Sequence, residues 1–166
     1  MSKKLEEALN EQIREEFYSA SYYLSISAWA SSQDYNGTAS FFMIQVQEEV
    51  GHAMKMFNFL FDVESRAIVP ALDQPPADFD GLEDAFQKTL KHEKYITGRI
   101  HKLVALAREE NDYAMENFLQ WFVTEQVEEE ANMNKVLAQI KMIGGDARAV
   151  FMLDRELGQR QAFGGE

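Results

Sequence analysis

The sequence predicts an all-α protein: a four-helix bundle with one long crossover between helices two and three, plus a short fifth helix at the C-terminus. Three observations carry this. Apolar residues recur at helical spacing along four long stretches. Glycine and proline number only 9 and 3 in 166 residues, so those stretches can run without a break. All three prolines fall between the second and third stretches, where periodicity vanishes.

The first helix runs from Leu5 to about Gln33, through Leu9, Ile13, Ala20 and Leu24. Asp34-Tyr35-Asn36-Gly37 then supplies turn residues, and Asn36 or Thr38 is a candidate cap for the second helix. That helix runs from about Ala39 to Glu64 through Phe42, Val46, Ala53, Met56, Leu60 and Val63. From Ser65 to Asp80, Pro70, Pro75 and Pro76 exclude a continuing helix. Asp80-Gly81-Leu82-Glu83 has capping-box spacing, with Asp80 as cap. The third helix continues through Phe86, Leu90, Ile100, Val104 and Ala107 to about Glu110. Asn111-Asp112 turns the chain into the fourth, through Met115, Leu119, Phe122, Met133, Leu137 and Ile140, which Gly144-Gly145 stops. The fifth covers roughly Asp146 to Leu157. One domain over residues 1–166 results: a bundle at about 5–143, the fifth helix, and a tail over 158–166.

Loop lengths set the topology. Short turns make helices one and two, and three and four, antiparallel pairs. A helix of about 26 residues is roughly 39 Å long, and about 16 extended residues span roughly 50 Å. The middle connection can therefore travel the whole bundle and set helices two and three parallel.

Composition narrows the function. With 28 acidic and 16 basic residues the formal charge is -12, which argues against nucleic acid as a partner. The absence of cysteine excludes disulfides, iron–sulfur clusters and thiol nucleophiles. No signal-like core opens the chain and no apolar run is long enough for a bilayer, so a cytoplasmic protein without a membrane partner is expected.

The functional signal lies in the residues that interrupt the apolar stripes. Glu16 breaks the first, Glu49 the second, Glu93 the third, and Gln126 with Glu129 the fourth, each near mid-helix. A buried unpaired carboxylate costs several kcal/mol. The natural compensation, Lys or Arg on the same stripes, is missing. A cation from outside is the economical answer. Glu49 and His52, three residues apart, share one side of their helix and can bind one metal. A di-iron bundle site takes a Glu from each of two helices and Glu-x-x-His from the other two. Glu16, Glu93 and Glu49-Val50-Gly51-His52 meet three of these requirements; the fourth helix offers Gln126-Val127-Glu128-Glu129 instead.

Glu16, the pair Glu48-Glu49 with His52, the dipeptide His92-Glu93, and Glu125-Gln126 with Glu129 together resemble the bacterial non-haem ferritins. Tyr23 and Trp121 fit the same pattern, and the resemblance spans essentially the whole chain. It implies a ferritin-like fold, and iron storage and detoxification by a ferroxidase that oxidises Fe(II) with O2 or peroxide. Glu16, Glu49 and His52 would hold one iron. Glu49, bridging, would hold the second with Glu93 and Gln126. Glu48, Glu125 and Glu129 would form a third site, with Glu128 a weaker candidate. Tyr23 reads as a core aromatic whose hydroxyl finds a carboxylate, with a redox role as the alternative. The resemblance further implies a hollow homo-oligomer of twenty-four subunits that deposits ferric mineral inside. Bacterioferritins ligate haem through a Met where Val50 and Gly51 stand here, so no haem is expected.

Residue types weigh against other functions. A non-storage di-iron peroxidase or oxygenase of the rubrerythrin kind is the alternative, disfavoured because the cysteine-rich module is missing. Miniferritins place their site between subunits and lack the fifth helix. A plain structural bundle would leave the buried carboxylates unexplained. Trp121 reads as packing, His92 and His101 as exposed, and the 8 methionines as core filler. Asp112 and Glu116 are candidates for the pores through which iron enters.

Overall fold

Backbone donors at a helix start need partners, and the five helices of this computed structural model find them in different ways. It describes residues 1–160; the last part of the expected tail, 161–166, lies outside the described residues. Helix α1 spans Lys3–Ser32, with Ser2 accepting from the Leu5 amide at 3.3 Å. Helix α4 spans Tyr113–Ile143, capped by Asp112 on the Met115 amide at 3.0 Å and ended by Gly144 in the left-handed region. Helix α5 spans Ala147–Leu157, capped by Asp146 on Arg148 and Ala149.

Two starts differ from the sequence expectation. Helix α2 spans Asn36–Asp62, three residues earlier than expected, and neither Asn36 nor Thr38 caps it. The cap comes from 117 and 116 residues away: Asp154 of α5 accepts from the Gly37 amide at 2.9 Å, the Thr38 amide at 2.8 Å and the Thr38 hydroxyl at 2.7 Å. No local pattern reports such a partner. The approach is close enough that a Cβ on Gly37 would collide with the Asp154 backbone carbonyl. Helix α3 spans Leu82–Glu109, and its cap is Gly81 at φ +112, not Asp80. Shifted by one residue, only half the box survives: Asp84 accepts from the Asp80 amide at 3.0 Å.

The crossover runs along the outside of α1. Asn10 accepts from the Ile68 amide at 2.7 Å and donates to the Arg66 carbonyl at 2.9 Å. Further up, Ser25 donates to the Pro76 carbonyl at 2.6 Å. Asn10 and Ser25 lie roughly 22 Å apart along a helix axis. The chain therefore leaves α2 at one end of the bundle and enters α3 at the other, which makes α2 and α3 parallel. Phe79 seals the arrival against Trp29 and Tyr22.

The apolar interior is divided. One block, toward the α5 end, gathers Tyr22, Ile26, Phe41, Phe42, Phe86 and Met133. The other gathers Leu9, Ile13, Met56, Ile96, Ile100 and Leu119. Between them all four long helices contribute buried polar side chains. Leu24 is a correction: it is 48% exposed, and Tyr23 takes the inward position one residue earlier. Among the described residues no helix is long and apolar enough to cross a membrane.

Asp154→Ala should cost about 1–2 kcal/mol, the usual loss for removing a helix cap. The loss should appear as faster amide exchange at Gly37 and Thr38 together with α5. Unchanged exchange at those two amides would show that α5 is held by its apolar face alone.

Candidate metal centre

Mid-height in the bundle, the four stripes turn polar at the same level. Glu16, Glu49 and Glu93 are at most 2% exposed, and His52, Gln126 and Glu129 at most 5%. Helical spacing from Leu9 and Ile13 places Glu16 inward, and the same register holds Glu49 between Phe42 and Met56. The 3-residue step from Glu49 to His52 keeps both on one side, with Nδ1 of the imidazole 3.4 Å from the Glu49 carboxylate. One ligand atom each from Glu16, Glu49 and His52 lie within 4.8 Å of one another, a spread that a single ion can gather.

Glu93 stands apart from that trio. Tyr23 donates to its Oε1, and the Gln126 amide nitrogen donates to its Oε2 at 3.1 Å. Gln126 also donates to the Glu93 backbone carbonyl at 3.3 Å, so its nitrogen faces this carboxylate. A second trio forms from His52, Glu125 and Glu129, again within 4.8 Å, with His52 Nε2 3.8 Å from Glu125. His52 is thus common to both trios. Of the third-site residues expected from sequence, Glu125 and Glu129 come together, whereas Glu48 is turned to Arg160 at 2.8 Å. Glu128 is exposed.

Several participants carry no signal of their own in sequence. Gln12 donates to Glu16 at 2.8 Å and accepts from Arg99 at 2.8 Å. Gln45 donates to Glu129 at 3.0 Å and accepts from Arg160. Two arginines outside the stripes therefore reach the layer through amides. Helical period alone could have flagged Gln12 and Gln45 as inward, since each lies four residues before a site glutamate. His92 is a second correction: it is not exposed but packed among the rings of Tyr18, Tyr22, Tyr23 and Tyr95, with Nε2 2.7 Å from the Ser19 hydroxyl. Its burial lowers its pKa to about 4, so it stays neutral. His101 is exposed as expected. Trp121 meets the His52 ring edge-on at 5.4 Å, with Lys55 over its outer face.

Charge in this layer is governed by desolvation. Burial raises the Glu16 pKa against the opposing pull of His52, Gln12 and Arg99. Burial also raises Glu49 well above the ordinary range, helped by its like-charged neighbours Glu93 and Glu16. Burial and Glu129 push Glu93 up to about 8; burial lifts Glu129 to about 6. Burial pulls His52 down, but Glu49, Glu125 and Glu16 outweigh it and leave the imidazole raised. His52 in turn holds Glu125 below its usual value. Burial keeps the Tyr23 phenol protonated, so it is the donor to Glu93. The metal-free layer is thus a store of protons that a multivalent cation can displace. Its donor set, mostly carboxylate oxygen with one imidazole, suits hard cations and iron in both oxidation states.

Relatives place the chain. Residues 6–143 match the ferritin-like domain family. A probable bacterial non-heme ferritin-like protein of Haemophilus influenzae is 38% identical over 158 residues, covering 95% of this chain and 96% of that one. A bacterial non-heme ferritin of Staphylococcus aureus is 37% identical over 160 residues, covering 96% of each. A solved ferritin of the archaeon Archaeoglobus fulgidus, described as having a novel open pore, superposes with a TM-score of 0.96 at 44% identity, over 97% of this chain and 99% of that one. The chain belongs to the ferritin family of iron-storage proteins.

Proposed function

We propose that this chain is one ferritin-like domain that oxidises Fe(II) at the buried layer and passes the ferric product to a mineral held inside a hollow homo-oligomer in the cytoplasm. The observation that supports this best is the double trio: two overlapping sets of ligand atoms sharing His52, in a layer where, among the described residues, no lysine or arginine pairs directly with Glu16, Glu49, Glu93 or Glu129. Glu16, Glu49 and His52 would hold one ferrous ion. Glu49 would reach the second, with Glu93 and, after its amide turns, Gln126. Glu125 and Glu129 would receive iron leaving the pair. Iron is the substrate here, and Fe(II) and O2 or peroxide are the reactants. Two Fe(II) ions give up one electron each, and O2 takes both with two protons to yield hydrogen peroxide.

The protein supplies three things to that reaction. The carboxylates stabilise the higher charge of Fe(III), which favours electron loss. The two apolar blocks exclude bulk water from either side. The proton store responds to metal: binding Fe(II) expels protons that were holding the carboxylates neutral. Tyr23, donating to Glu93, fixes that carboxylate's orientation. We infer twenty-four subunits for that oligomer, the number implied by the resemblance of the sequence to bacterial non-haem ferritins. A direct test of the whole reading is anaerobic titration with Fe(II), then air, followed by a count of ferric iron retained per assembly. Oxidation without retention would instead favour a non-storage di-iron oxidase of the rubrerythrin kind.

Glu49→Ala should lower the fast phase of iron oxidation by roughly 100-fold or more, because a ligand common to both irons is lost. Without metal the variant should stay within about 1 kcal/mol of the parent, since removing a carboxyl group whose burial is unfavourable offsets the cavity it leaves. Stopped-flow absorbance and thermal melts read the two halves. Parental oxidation rates, or collapse of the metal-free variant, would make Glu49 a structural residue.

A second expectation comes from the direction of the shifts. Glu93 has a folded-state pKa of about 8 against 4.5 for an ordinary glutamate, so the folded state binds its proton more tightly. That contribution is complete below pH 4.5 and is lost as pH rises toward 8, so the metal-free protein should weaken across this window. Bound metal removes the dependence. Calorimetry with redox-inert Zn(II) near neutral pH, in buffers of different ionisation enthalpy, should show protons released on binding. Binding without proton release would contradict the protonated layer.

A further inference from the structure

The segment after α5 ends in a guanidinium planted among the carboxylates. Gly158 passes close to Gly37, which lets the chain turn from the Asp154 cap toward the middle of α2. Arg160 then donates through one nitrogen to the Gln45 amide oxygen and through another to Glu48 at 2.8 Å. Its charged centre lies 4.6 Å from the centroid of the Phe41 ring. Both the Arg160 and Glu48 side chains are 13% exposed, so this is a largely desolvated pair held on three sides.

Direction matters in this chain of bonds. A guanidinium has donors only, so Gln45 must turn its oxygen to Arg160. Its nitrogen is then forced toward Glu129, to which it donates at 3.0 Å. Glu129 belongs to the trio with His52 and Glu125. Arg160 therefore acts on that trio twice. It presents N–H donors, of the wrong sign for a cation, at the edge of the cluster, and it binds Glu48, which does not join the trio.

We infer that Arg160 is a positioning residue that keeps the Glu125–Glu129 position a weak, exchangeable cation site by locking Gln45 and engaging Glu48. This rests on the layer being a cation site, as proposed above. With Arg160 in place, an ion arriving from the buried pair is held briefly and moves on. When Arg160 withdraws, Gln45 is free to reverse its amide and offer an oxygen, and the guanidinium charge beside the cluster is gone.

The test is equilibrium binding of Zn(II) alone, without oxidation, to the assembled protein. The parent should bind two ions tightly per subunit and a third more weakly. Arg160→Met should leave the tight pair unchanged and strengthen the third position by about tenfold, the scale of one charged hydrogen bond. Arg160→Lys keeps a charge for Glu48 and should stay closer to the parent than to the methionine variant. A third position that is unchanged or weaker in the methionine variant overturns the inference, as does a lysine variant binding as tightly as the methionine one. If the parent lacks the tight pair, it is the ferroxidase reading that fails; if the pair is present but indifferent to Arg160, only this inference does.

Discussion

Desolvation of carboxylates is the constraint on which the rest of this structure depends. Glu16, Glu49, Glu93 and Glu129 sit where water cannot solvate them, and each responds by holding its proton more tightly. A core cannot accept that many ionised groups without partners. The protein meets the constraint with one counter-ion, the His52 imidazole between Glu49 and Glu125, and otherwise with neutral donors: Gln12, Gln45, Gln126 and Tyr23 each place one N–H or O–H on a carboxylate. Neutral donors stabilise without competing as cations do, so the layer stays closed at rest and open to metal.

The polar layer also explains the proportions of the fold. It contributes little apolar burial, so stability must come from a full apolar block on either side. That requires helices of about 30 residues, enough to cross both blocks and the layer between them. Long parallel neighbours then require a crossover that runs the length of the molecule, and Asn10 and Ser25 hold it against α1. At one end α5 adds Leu153 and Leu157 to the upper block and donates the cap that α2 lacks.

A feature is legible in the sequence to the extent that its cause is local. Glu16, Glu49, His52 and Glu93 are legible because helical period alone assigns them to the core, where a charge demands a reason. The long crossover is legible from three prolines and a length. The cap from Asp154 is not, because its partner amides lie 117 and 116 residues away, and Asn36 and Thr38 offer plausible local substitutes. Leu24 misleads for the opposite reason: an apolar residue one step off the stripe looks much like one on it, and the Tyr23 hydroxyl that makes the neighbour inward is explained only by Glu93. His92 reads as surface because Lys91 and Lys94 stand beside the His92-Glu93 pair. Four tyrosine rings from α1 and α3 enclose it instead.

Stripes without basic residues suggest a layer without compensating charge, and here the structure adds a distinction. Arg99 and Arg160 both approach the layer from outside the stripes, and both stop one amide short of a buried carboxylate, Glu16 and Glu129 respectively. A guanidinium bonded directly to Glu16 or Glu129 would occupy the lone pairs a metal needs and would keep the carboxylate ionised. An interposed glutamine transmits only polarity. Its oxygen accepts from arginine and its nitrogen donates to glutamate, so the carboxylate gains a hydrogen bond while keeping its proton and its remaining lone pairs. The two relays differ in one respect. Arg99 lies near Tyr95 and pairs with the solvent-facing Glu11, whereas Arg160 also engages Glu48 beside the second trio. The first relay therefore steadies Glu16 from one side of the layer, and the second bears on both Glu129 and Glu48 at the other.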